Sequence, residues 1–430
     1  MFPILKHFWK RHSMTKDKGE IHACSFCGKN KTDVEKLIVG GSNVSICSEC
    51  VTLCHDILKE QKVKAFPIKD EKKRFNPVKI KEHLDQYVIG QSRAKIALAV
   101  GVAQHYKRVY NPTDDVQLEK TNILLLGPTG CGKTMMVKKI SEFLDLPVAI
   151  CDATGLTEAG YVGDDVESIL SRLLSVAGDD IERAQRGIIY IDEIDKIARK
   201  GAGTSITRDV SGEGVQQALL KMIEGTVARV PTSGRRKNPK AEMIDIDTSN
   251  ILFICGGAFV GMEKIIKERG GKNAIGFNVS TPVKSNEPAE CLDDCTIKDL
   301  VSFGLIPEFV GRFGLTVNVN ELSVDDLVTI LKEPKNSIIH QYQYLFKLDG
   351  VDLKFEDDAL RVIAEKAKEL KTNARGLKQI IEKMLMEYQF ESMDLVERGL
   401  EQIVISKDTA LGGKAVLMFN KENVEKAKLS

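Results

Sequence analysis

Hydrophobic and polar positions follow two alternating patterns between about residues 76 and 318. Short apolar runs, typical of buried strands, are separated by segments whose apolar residues recur at helical spacing. The predicted strands are Asn122–Leu126, Val148–Ile150, Ile188–Ile191 and Ile251–Cys255. The predicted helical stripes are Val166, Ile169, Leu170, Leu173 and Leu174, and Val215, Ala218, Leu219, Met222 and Ile223. This alternation predicts an α/β domain with a largely parallel sheet over residues 76–318.

The pattern changes after about residue 319, where helices come to dominate. Val351, Leu353 and Phe355 alternate as in a strand. A long helical stripe follows at Leu377, Ile380, Ile381, Met384, Leu385 and Tyr388. We therefore expect a second, smaller α+β domain with a tail over residues 319–430.

The amino-terminal part has a different composition. Residues 21–55 form a compact Cys-rich module, and residues 56–75 are a charged segment that we interpret as a solvated linker. Residues 1–20 are expected to be a disordered extension, because charges interrupt the apolar residues that a secretory signal would need.

Composition excludes several functional classes. The 430 residues carry 62 Lys and Arg against 61 Asp and Glu, a net charge of +1, which argues against a generally basic nucleic-acid coat. The chain has a single Trp and only 6% aromatic residues, which argues against an aromatic surface that stacks nucleic-acid bases. No apolar run reaches the roughly 18 residues that a membrane span requires. The ten cysteines lie mostly in apolar strands or close pairs, which favours a reducing, cytoplasmic setting.

The strongest local motif follows the first predicted strand. The sequence from Gly127 to Thr134 matches G-x-x-x-x-G-K-[ST] between the strand that ends at Leu126 and a predicted helix. Glycines allow backbone N–H groups to surround phosphates, while Lys133 would contact the β- and γ-phosphates and Thr134 would bind Mg²⁺. The predicted phosphate-binding residues are Gly127, Pro128, Thr129, Gly130, Cys131, Gly132, Lys133 and Thr134.

A second motif agrees with the first. The apolar strand Ile188–Ile191 ends in Asp192 and Glu193. Asp192 would enter the magnesium shell, and Glu193 would polarise the attacking water. Together the two motifs predict ATP hydrolysis, although the phosphate loop does not read the base and leaves GTP open.

Four cysteines have the spacing of a structural zinc site. Cys24-x2-Cys27 and Cys47-x2-Cys50 are separated by nineteen residues, and two such pairs can close a tetrahedron around Zn²⁺. A module this short needs a metal to fold. Cys54 and His55 follow closely and remain alternative ligands, and a disulfide pair remains the other interpretation.

With these motifs in place, the chain resembles the ClpX family of hexameric AAA+ unfoldases that feed the ClpP peptidase, from about residue 20 to 420. The resemblance depends on the four-Cys module, the phosphate loop and two further stretches, Ser205–Gln217 and Ile306–Arg312. It implies a homohexamer, an AAA+ P-loop fold and the cofactors ATP, Mg²⁺ and Zn²⁺. It also implies three kinds of partner: a ClpP-type peptidase, tagged or unfolded protein substrates, and adaptors. Neither nucleic acid nor a membrane is implied as a partner.

The resemblance assigns three loops to a central pore. Tyr161 and Val162, in Gly160-Tyr-Val-Gly163, would grip the translocating polypeptide. Arg208 would belong to a second pore loop. Arg236 and Lys237 would lie in a basic loop at the pore entrance, where Asn238 replaces the histidine of the family pattern and puts a histidine contribution to tag recognition in doubt.

Another implied feature is a docking loop for the peptidase. The stretch of about 264–300 has little periodicity and is long for a connection within a domain. It contains Ile275-Gly276-Phe277, which matches the hydrophobic tripeptide with which the family binds clefts on the peptidase.

The resemblance also assigns residues around the nucleotide. Arg312 matches an arginine finger that reaches the nucleotide of a neighbouring subunit, and Arg375 matches a second sensor that acts within the same chain. Val88 and Ile89 match the segment that packs on adenine, which favours ATP.

Cys131 departs from the serine common in the family's phosphate loop. The nearby Lys133 and the helix N-terminus could lower the pKa of the Cys131 thiol, so one hypothesis is that alkylation of Cys131 inactivates the ATPase. The alternative is a neutral substitution.

The sequence as a whole favours an ATP-dependent unfoldase that pulls tagged polypeptides through a hexameric pore into a separate peptidase. One alternative is a remodelling chaperone that works without a peptidase. The other is a zinc-containing DNA-dependent ATPase, which the balanced charge and the basic linker's lack of interleaved aromatics disfavour.

Overall fold

The structure is a computed structural model that describes residues 23–40, 44–54, 75–112, 115–157, 164–199, 212–231, 243–272 and 292–420. The chain divides into two compact units, Met1–Glu71 and Lys72–Ser430.

The first unit is a small module built around its cysteines. Strands β1 (Leu37–Val39) and β2 (Ser45–Cys47) form an antiparallel pair in which Leu37 lies opposite Cys47. A helical stretch follows at 48–54. Within residues 23–40 and 44–54, the buried core consists of Cys24, Cys47 and Cys50, with Val34, Leu37 and Ile46 packed against them. So few apolar residues stabilise little structure by themselves.

The second unit contains a five-stranded parallel sheet whose strands lie in the order Phe313–Asn318, Asn122–Leu126, Leu252–Gly257, Ile188–Asp192 and Val148–Asp152. Its strands and the short strands between them are β3 (Asn122–Leu126), β4 (Val148–Asp152), β5 (Leu156–Thr157), β6 (Asp164–Asp165), β7 (Ile188–Asp192), β8 (Val227–Pro231), β9 (Met243–Asp247), β10 (Leu252–Gly257) and β11 (Phe313–Asn318). The four predicted strands are all in this sheet, with bounds that differ by at most two residues. The antiparallel pair β8–β9 was not predicted.

Helices cover both faces of the sheet. In chain order they are α1 (Pro77–Asp85), α2 (Ser92–Tyr110), α3 (Lys133–Leu144), α4 (Ser168–Val176), α5 (Ile181–Gln185), α6 (Glu213–Glu224), α7 (Met262–Lys272), α8 (Ile297–Phe303) and α9 (Pro307–Val310). Side chains alternate along β3, so Ile123 and Leu125 enter one core whereas Leu124 and Leu126 enter the other. The predicted stripes lie on α4 and α6, except that Val166 precedes α4.

The carboxyl-terminal region, residues 319–420, is a smaller α+β arrangement that shares one core with the sheet. It consists of α10 (Val324–Lys332), α11 (Ile338–Leu348), β12 (Asp352–Phe355), α12 (Asp357–Glu369), α13 (Asn373–Glu397), β13 (Leu400–Ile405), α14 (Lys407–Leu411) and β14 (Val416–Phe419). The strand order is β12-β13-β14. Helix α13 carries the predicted stripe, of which Leu377, Ile381 and Leu385 are fully buried.

The predicted fold class, a large α/β domain, a small α+β domain and a four-Cys module, is confirmed. Within the part of the chain that the structure describes, none of the helices combines the length and apolar character needed to span a bilayer.

Candidate nucleotide site and zinc centre

The phosphate loop connects β3 to α3, and its glycines are required by geometry. Gly127, Gly130 and Gly132 all have positive φ angles, of 141°, 83° and 98°. A Cβ atom at Gly127 would lie 2.0 Å from the carbonyl oxygen of Val319, so a side chain cannot be accommodated there. This curled backbone followed by a helix N-terminus is the arrangement that binds phosphate.

Lys133, the first residue of α3, is directed back into the loop. Its Nζ donates to the carbonyl oxygens of Gly127 at 2.6 Å and Pro128 at 2.9 Å. Burial lowers the pKa of Lys133, and the nearby Asp192 carboxylate opposes that shift. The ammonium group is therefore already largely removed from water, which strengthens its attraction to an anion.

Asp192 and Thr134 bring two oxygen ligands together. The Thr134 hydroxyl donates to Asp192 Oδ2 at 2.9 Å, while Tyr190 Oη and the Glu193 backbone N–H donate to Asp192 Oδ1 at 3.2 and 3.1 Å. A hydroxyl and a carboxylate fixed in this way are suitable donors for Mg²⁺.

Glu193 follows in a conformation that non-glycine residues seldom adopt. Its φ angle is 57°, in the left-handed region, and it is the N-cap residue of the short helix Ile194–Ile197. Such a conformation costs about 1–3 kcal/mol and is concentrated at functional sites. In this structure Glu193 is part of the cavity wall beside Asp192.

Asp195 is a further residue of the site that the sequence analysis did not identify. Its carboxylate is buried, accepts the Ala258 N–H at 3.0 Å and lies 3.3 Å from Lys196 Nζ. It thereby connects the carboxyl end of β7 to that of β10. The run of acids Asp192-Glu193-Ile-Asp195 after an apolar strand was the signal that could have indicated it.

These residues surround a cavity of about 380 Å³. Thr129, Gly130, Gly132, Lys133 and Thr134 line one side and Asp192, Glu193 and Asp195 line another. Ala374 and Arg375, from the first turn of α13, complete the wall. The predicted second-sensor residue thus lies at the phosphate loop of its own chain.

The start of α13 also contacts the phosphate loop directly. Asn373 Nδ2 donates to the Thr129 carbonyl oxygen at 3.0 Å. Asn373 was not predicted from the sequence, because it lies 244 positions from Thr129 and the local pattern around either residue does not indicate the other.

Val88 and Ile89 lie in the segment between α1 and α2. Val88 is buried, and its Cγ1 would lie 3.5 Å from a Cβ atom built on Gly132. Its carbonyl oxygen accepts a hydrogen bond from the buried Lys95, which also bonds Asp85 at 2.7 Å. The segment is therefore held against the phosphate loop, although Val88 and Ile89 are not among the residues that line the cavity.

Arg312 lies away from the cavity of its own chain. Its Nη2 is 2.5 Å from Glu224 Oε1 at the end of α6, and about half of its side chain is exposed. This position fits a residue that acts on another chain, and the arginine-finger assignment stays a prediction.

The hypothesis of a reactive Cys131 is contradicted by the structure. The thiol is 2% exposed, and burial raises its pKa to about 11, against the smaller opposing effect of Lys133. Desolvation disfavours the thiolate more than the neighbouring ammonium favours it. Cys131 is therefore a small buried side chain and not an activated nucleophile.

The zinc prediction fits the geometry of the first unit. The sulfur atoms of Cys24, Cys27, Cys47 and Cys50 all lie within 4.8 Å of one another. The Cys47 backbone N–H donates to Cys24 Sγ at 3.2 Å, a contact that stabilises a thiolate ligand. Cys54 lies outside this cluster, and all four sulfurs are free of disulfide bonds.

The remaining predicted residues lie outside the described part of the chain. They are Tyr161, Val162, Arg208, Arg236, Lys237, Ile275, Gly276 and Phe277, together with the proposed extension 1–20, His55 and nearly all of the linker 56–75.

Comparison with protein families matches three parts of the chain. Residues 118–316 match the AAA domain (Cdc48 subfamily), residues 22–60 match the ClpX C4-type zinc finger, and residues 322–393 match the C-terminal, D2-small domain of ClpB protein.

Whole-chain relatives agree with these matches. The chain is 49% identical over 402 residues to proteins of Borrelia duttonii (strain Ly) and Borrelia recurrentis (strain A1), covering 93% of each chain. It is 50% identical over 387 residues to a protein of Treponema denticola, covering 89% of this chain and 92% of the relative. All three relatives are named ATP-dependent Clp protease ATP-binding subunit ClpX.

Proposed function

Because this chain belongs to the ClpX family of Clp protease ATP-binding subunits, and is an ATPase that uses ATP with Mg²⁺ and carries Zn²⁺, we propose that it is a hexameric unfoldase. It would recognise tagged proteins, unfold them and move them through a central pore into a ClpP-type peptidase.

The observation that carries this proposal is the composition of the nucleotide cavity. Arg375 of the carboxyl-terminal region lines the same cavity as Lys133 and Glu193 of the sheet domain. A nucleotide bound there contacts both regions, so its hydrolysis changes the interactions that hold them together. A ring of such subunits can convert that change into movement.

The positions and the chemistry of the residues that line the cavity support the catalytic roles proposed for them. Lys133 and Arg375 would neutralise phosphate charge, Thr134 and Asp192 would hold Mg²⁺, and Glu193 would orient the attacking water. Magnesium, when bound, supplies Lewis-acid stabilisation of the phosphate oxygens. Val88 and Ile89 would contact the adenine base.

The substrate-handling loops are proposed from their places in the chain. The segment with Tyr161 and Val162 connects β5 to β6, and the segment with Arg236 and Lys237 connects the paired strands β8 and β9. Arg208 precedes α6. Six copies would concentrate these aromatic and basic side chains around one axis, where they suit a polypeptide of varied sequence ending in a carboxylate.

Assembly into a homohexamer is supported by exposed apolar side chains on two helices of the carboxyl-terminal region. Ser392 of α13 donates to Asp349 beside α11 at 2.8 Å, so the two helices lie together. Their exposed large apolar side chains are Tyr344, Leu345, Leu348, Met386, Phe390 and Met393. Apolar residues grouped at helical spacing on a surface indicate a protein interface, and the proposed occupant is a second copy of this chain.

Peptidase docking is proposed for Ile275, Gly276 and Phe277. They follow α7 in a long stretch of the sequence. An Ile and a Phe offered together are suitable anchors for apolar clefts on a partner.

The ATPase rate tests the class of substrate. We expect a tagged, unfolded protein to stimulate ATP hydrolysis several-fold and single-stranded DNA to leave it unchanged. Stimulation by DNA alone would contradict the proposal and favour a DNA-dependent ATPase.

Mass photometry with ATP and Mg²⁺ should show particles of six chains, and a monomer under those conditions would contradict assembly.

A further inference from the structure

Asn373 connects the carboxyl-terminal region to the phosphate loop through a buried hydrogen bond. It is the first residue of α13 and is 3% exposed, and its Nδ2 donates to the Thr129 carbonyl oxygen at 3.0 Å. Its Oδ1 is buried and accepts no hydrogen bond from the residues that the structure describes. Turning the amide over would place Oδ1 against the Thr129 oxygen, so the donor orientation is the favourable one.

The backbone fixes the position of this side chain. Asn373 has a φ angle of 49°, in the left-handed region that Asn and Gly tolerate best. The preceding Thr372 donates both its N–H and its hydroxyl to the Ala367 carbonyl oxygen at the end of α12. The turn between α12 and α13 is therefore anchored on its own side, and Asn373 extends from a rigid support.

The phosphate loop packs closely on this turn. A Cβ atom at Gly130 would lie 2.6 Å from the Thr372 carbonyl oxygen and 3.2 Å from Asn373 Cβ. The loop backbone at Gly130 thus has no room for a side chain on this side. Any movement of the turn changes the contacts of the loop, and any movement of the loop changes those of the turn.

The contacted carbonyl belongs to the peptide that carries a cavity-lining amide. In a trans peptide the C=O and the following N–H point in opposite directions, and the described part of the chain contains no cis peptide. Holding the Thr129 carbonyl toward Asn373 therefore orients the Gly130 N–H away from α13. Gly130 is part of the wall of the nucleotide cavity, where such N–H groups bind phosphate.

We propose that Asn373 is a positioning residue for nucleotide binding, which orients the Gly130 N–H toward a phosphate by holding the Thr129 carbonyl. Arg375 lies two residues further along α13 and lines the same cavity, so one helical turn supplies both a cation for the nucleotide and a clamp for the loop. Tight ATP binding would then require the start of α13 to be packed against the phosphate loop beforehand.

Two substitutions separate this role from a general effect on the turn. Asn373→Gly keeps the left-handed backbone and removes the donor. Asn373→Asp keeps the size and places an acceptor against the Thr129 oxygen. Lys371→Gly is the matched control, because Lys371 has a φ angle of 54° in the same turn but an exposed side chain.

Binding of a fluorescent ATP analogue with Mg²⁺ to the full-length chain is the direct measurement. We expect Asn373→Gly to raise the Kd about three- to tenfold, as for one lost hydrogen bond, with Asn373→Asp raising it further and Lys371→Gly leaving it within about twofold. The KM for ATP should rise in parallel, while kcat at saturating ATP changes by less than about twofold.

Two results would overturn the proposal. The first is an unchanged Kd in both Asn373 variants, and the second is an equal rise in Lys371→Gly. If Asn373→Gly lowers the Tm but not the affinity, Asn373 has a structural role alone and the proposal is wrong. The measurement requires neither unfolding activity nor a peptidase, so its failure is distinguishable from failure of the proposed function.

Discussion

The Thr134 hydroxyl donates a 2.9 Å hydrogen bond to Asp192 Oδ2, joining the start of α3 to the carboxyl end of β7. Thr134 follows β3 after the phosphate loop and Asp192 is the last residue of β7, and these two strands are separated in the sheet by β10. The parallel sheet therefore brings two oxygen donors together from segments 58 residues apart. Glu193, the next residue, is directed by its left-handed backbone into the same cavity.

Glu193→Gln should remove hydrolysis and preserve binding. An amide cannot accept the proton of the attacking water, so we expect the ATPase rate to fall by about 100-fold or more. The side chain keeps its size, so the Kd for an ATP analogue should change by less than about threefold. Steady-state ATPase assays and equilibrium titration measure the two quantities.

The matched control is Glu119→Gln, at an exposed glutamate that is not part of the cavity wall. It should retain the original rate. A Glu193→Gln chain that still hydrolyses ATP at more than a tenth of that rate would show that Glu193 does not orient the water.

Metal removal should unfold the first unit alone. Among its described residues, 23–40 and 44–54, the buried core consists of three cysteines and three partly buried apolar residues, so we expect binding of Zn²⁺ to the four thiolates to supply most of its folding free energy. Chelation should release one zinc per chain and expose four reactive thiols. Cys24→Ser should lose zinc without chelator and expose the three thiols that remain, those of Cys27, Cys47 and Cys50.

The second unit has its own extensive core, so its thermal unfolding temperature should stay within about 2 °C after zinc loss. Zinc release can be followed with a colorimetric indicator and unfolding by calorimetry. Retention of zinc by Cys24→Ser would exclude Cys24 as a ligand.

Cys131 should resist alkylation at neutral pH. Its pKa is raised to about 11 by burial, so the thiolate that reacts with iodoacetamide is a minor species below that pH. We expect the partly exposed Cys54 to be labelled first, as measured by peptide mass spectrometry. Cys131→Ser should keep the ATPase rate within about twofold, and rapid labelling of Cys131 at pH 7.5 would contradict its burial.

The strands and the nucleotide motif were predictable because each is a local signal. Ile188–Ile191 is a continuous apolar run followed by two acids, and burial on both faces of a parallel sheet requires such a run. The spacing of the four cysteines likewise predicts their zinc site. In each case the residues that define the feature are near one another in sequence.

Contacts between distant segments could not be predicted in this way. Asn373 and Thr129 meet only because the carboxyl-terminal region packs against the sheet domain. The pKa of Cys131 depends on burial against surrounding segments, which outweighs the adjacent Lys133 that the sequence does show. The pair β8–β9 was missed because its exposed positions interrupt the apolar pattern.

His105 should make the protein sensitive to acid. Its Nε2 lies 3.0 Å from the Asn250 carbonyl oxygen and must carry the proton there, while its buried Nδ1 has no partner among the described residues. Burial, with the nearby Arg108 and Lys120, lowers its pKa from 6.5 to about 3. Between those values the unfolded chain binds the proton and the folded chain does not, so stability decreases as the pH falls.

The variant His105→Gln can donate to the same carbonyl without titrating. As the pH falls from 6.5 to 4, the original chain should therefore lose stability relative to the variant. The difference between their free energies of unfolding should grow by up to about 1.4 kcal/mol per pH unit. Urea unfolding at several pH values measures it. Parallel pH curves would show that folding does not lower the pKa of His105.

ATP hydrolysis by this chain is proposed to unfold proteins and deliver them to a peptidase. The most direct test is the loss of fluorescence of a folded, carboxyl-terminally tagged fluorescent protein incubated with the chain, a ClpP-type peptidase, ATP and Mg²⁺. We predict ATP-dependent loss of fluorescence with peptide products, no loss with Tyr161→Ala despite continued ATP hydrolysis, and no peptides when residues 275–277 are deleted. Undiminished fluorescence with the original chain, while it hydrolyses ATP at its full rate, would contradict the claim.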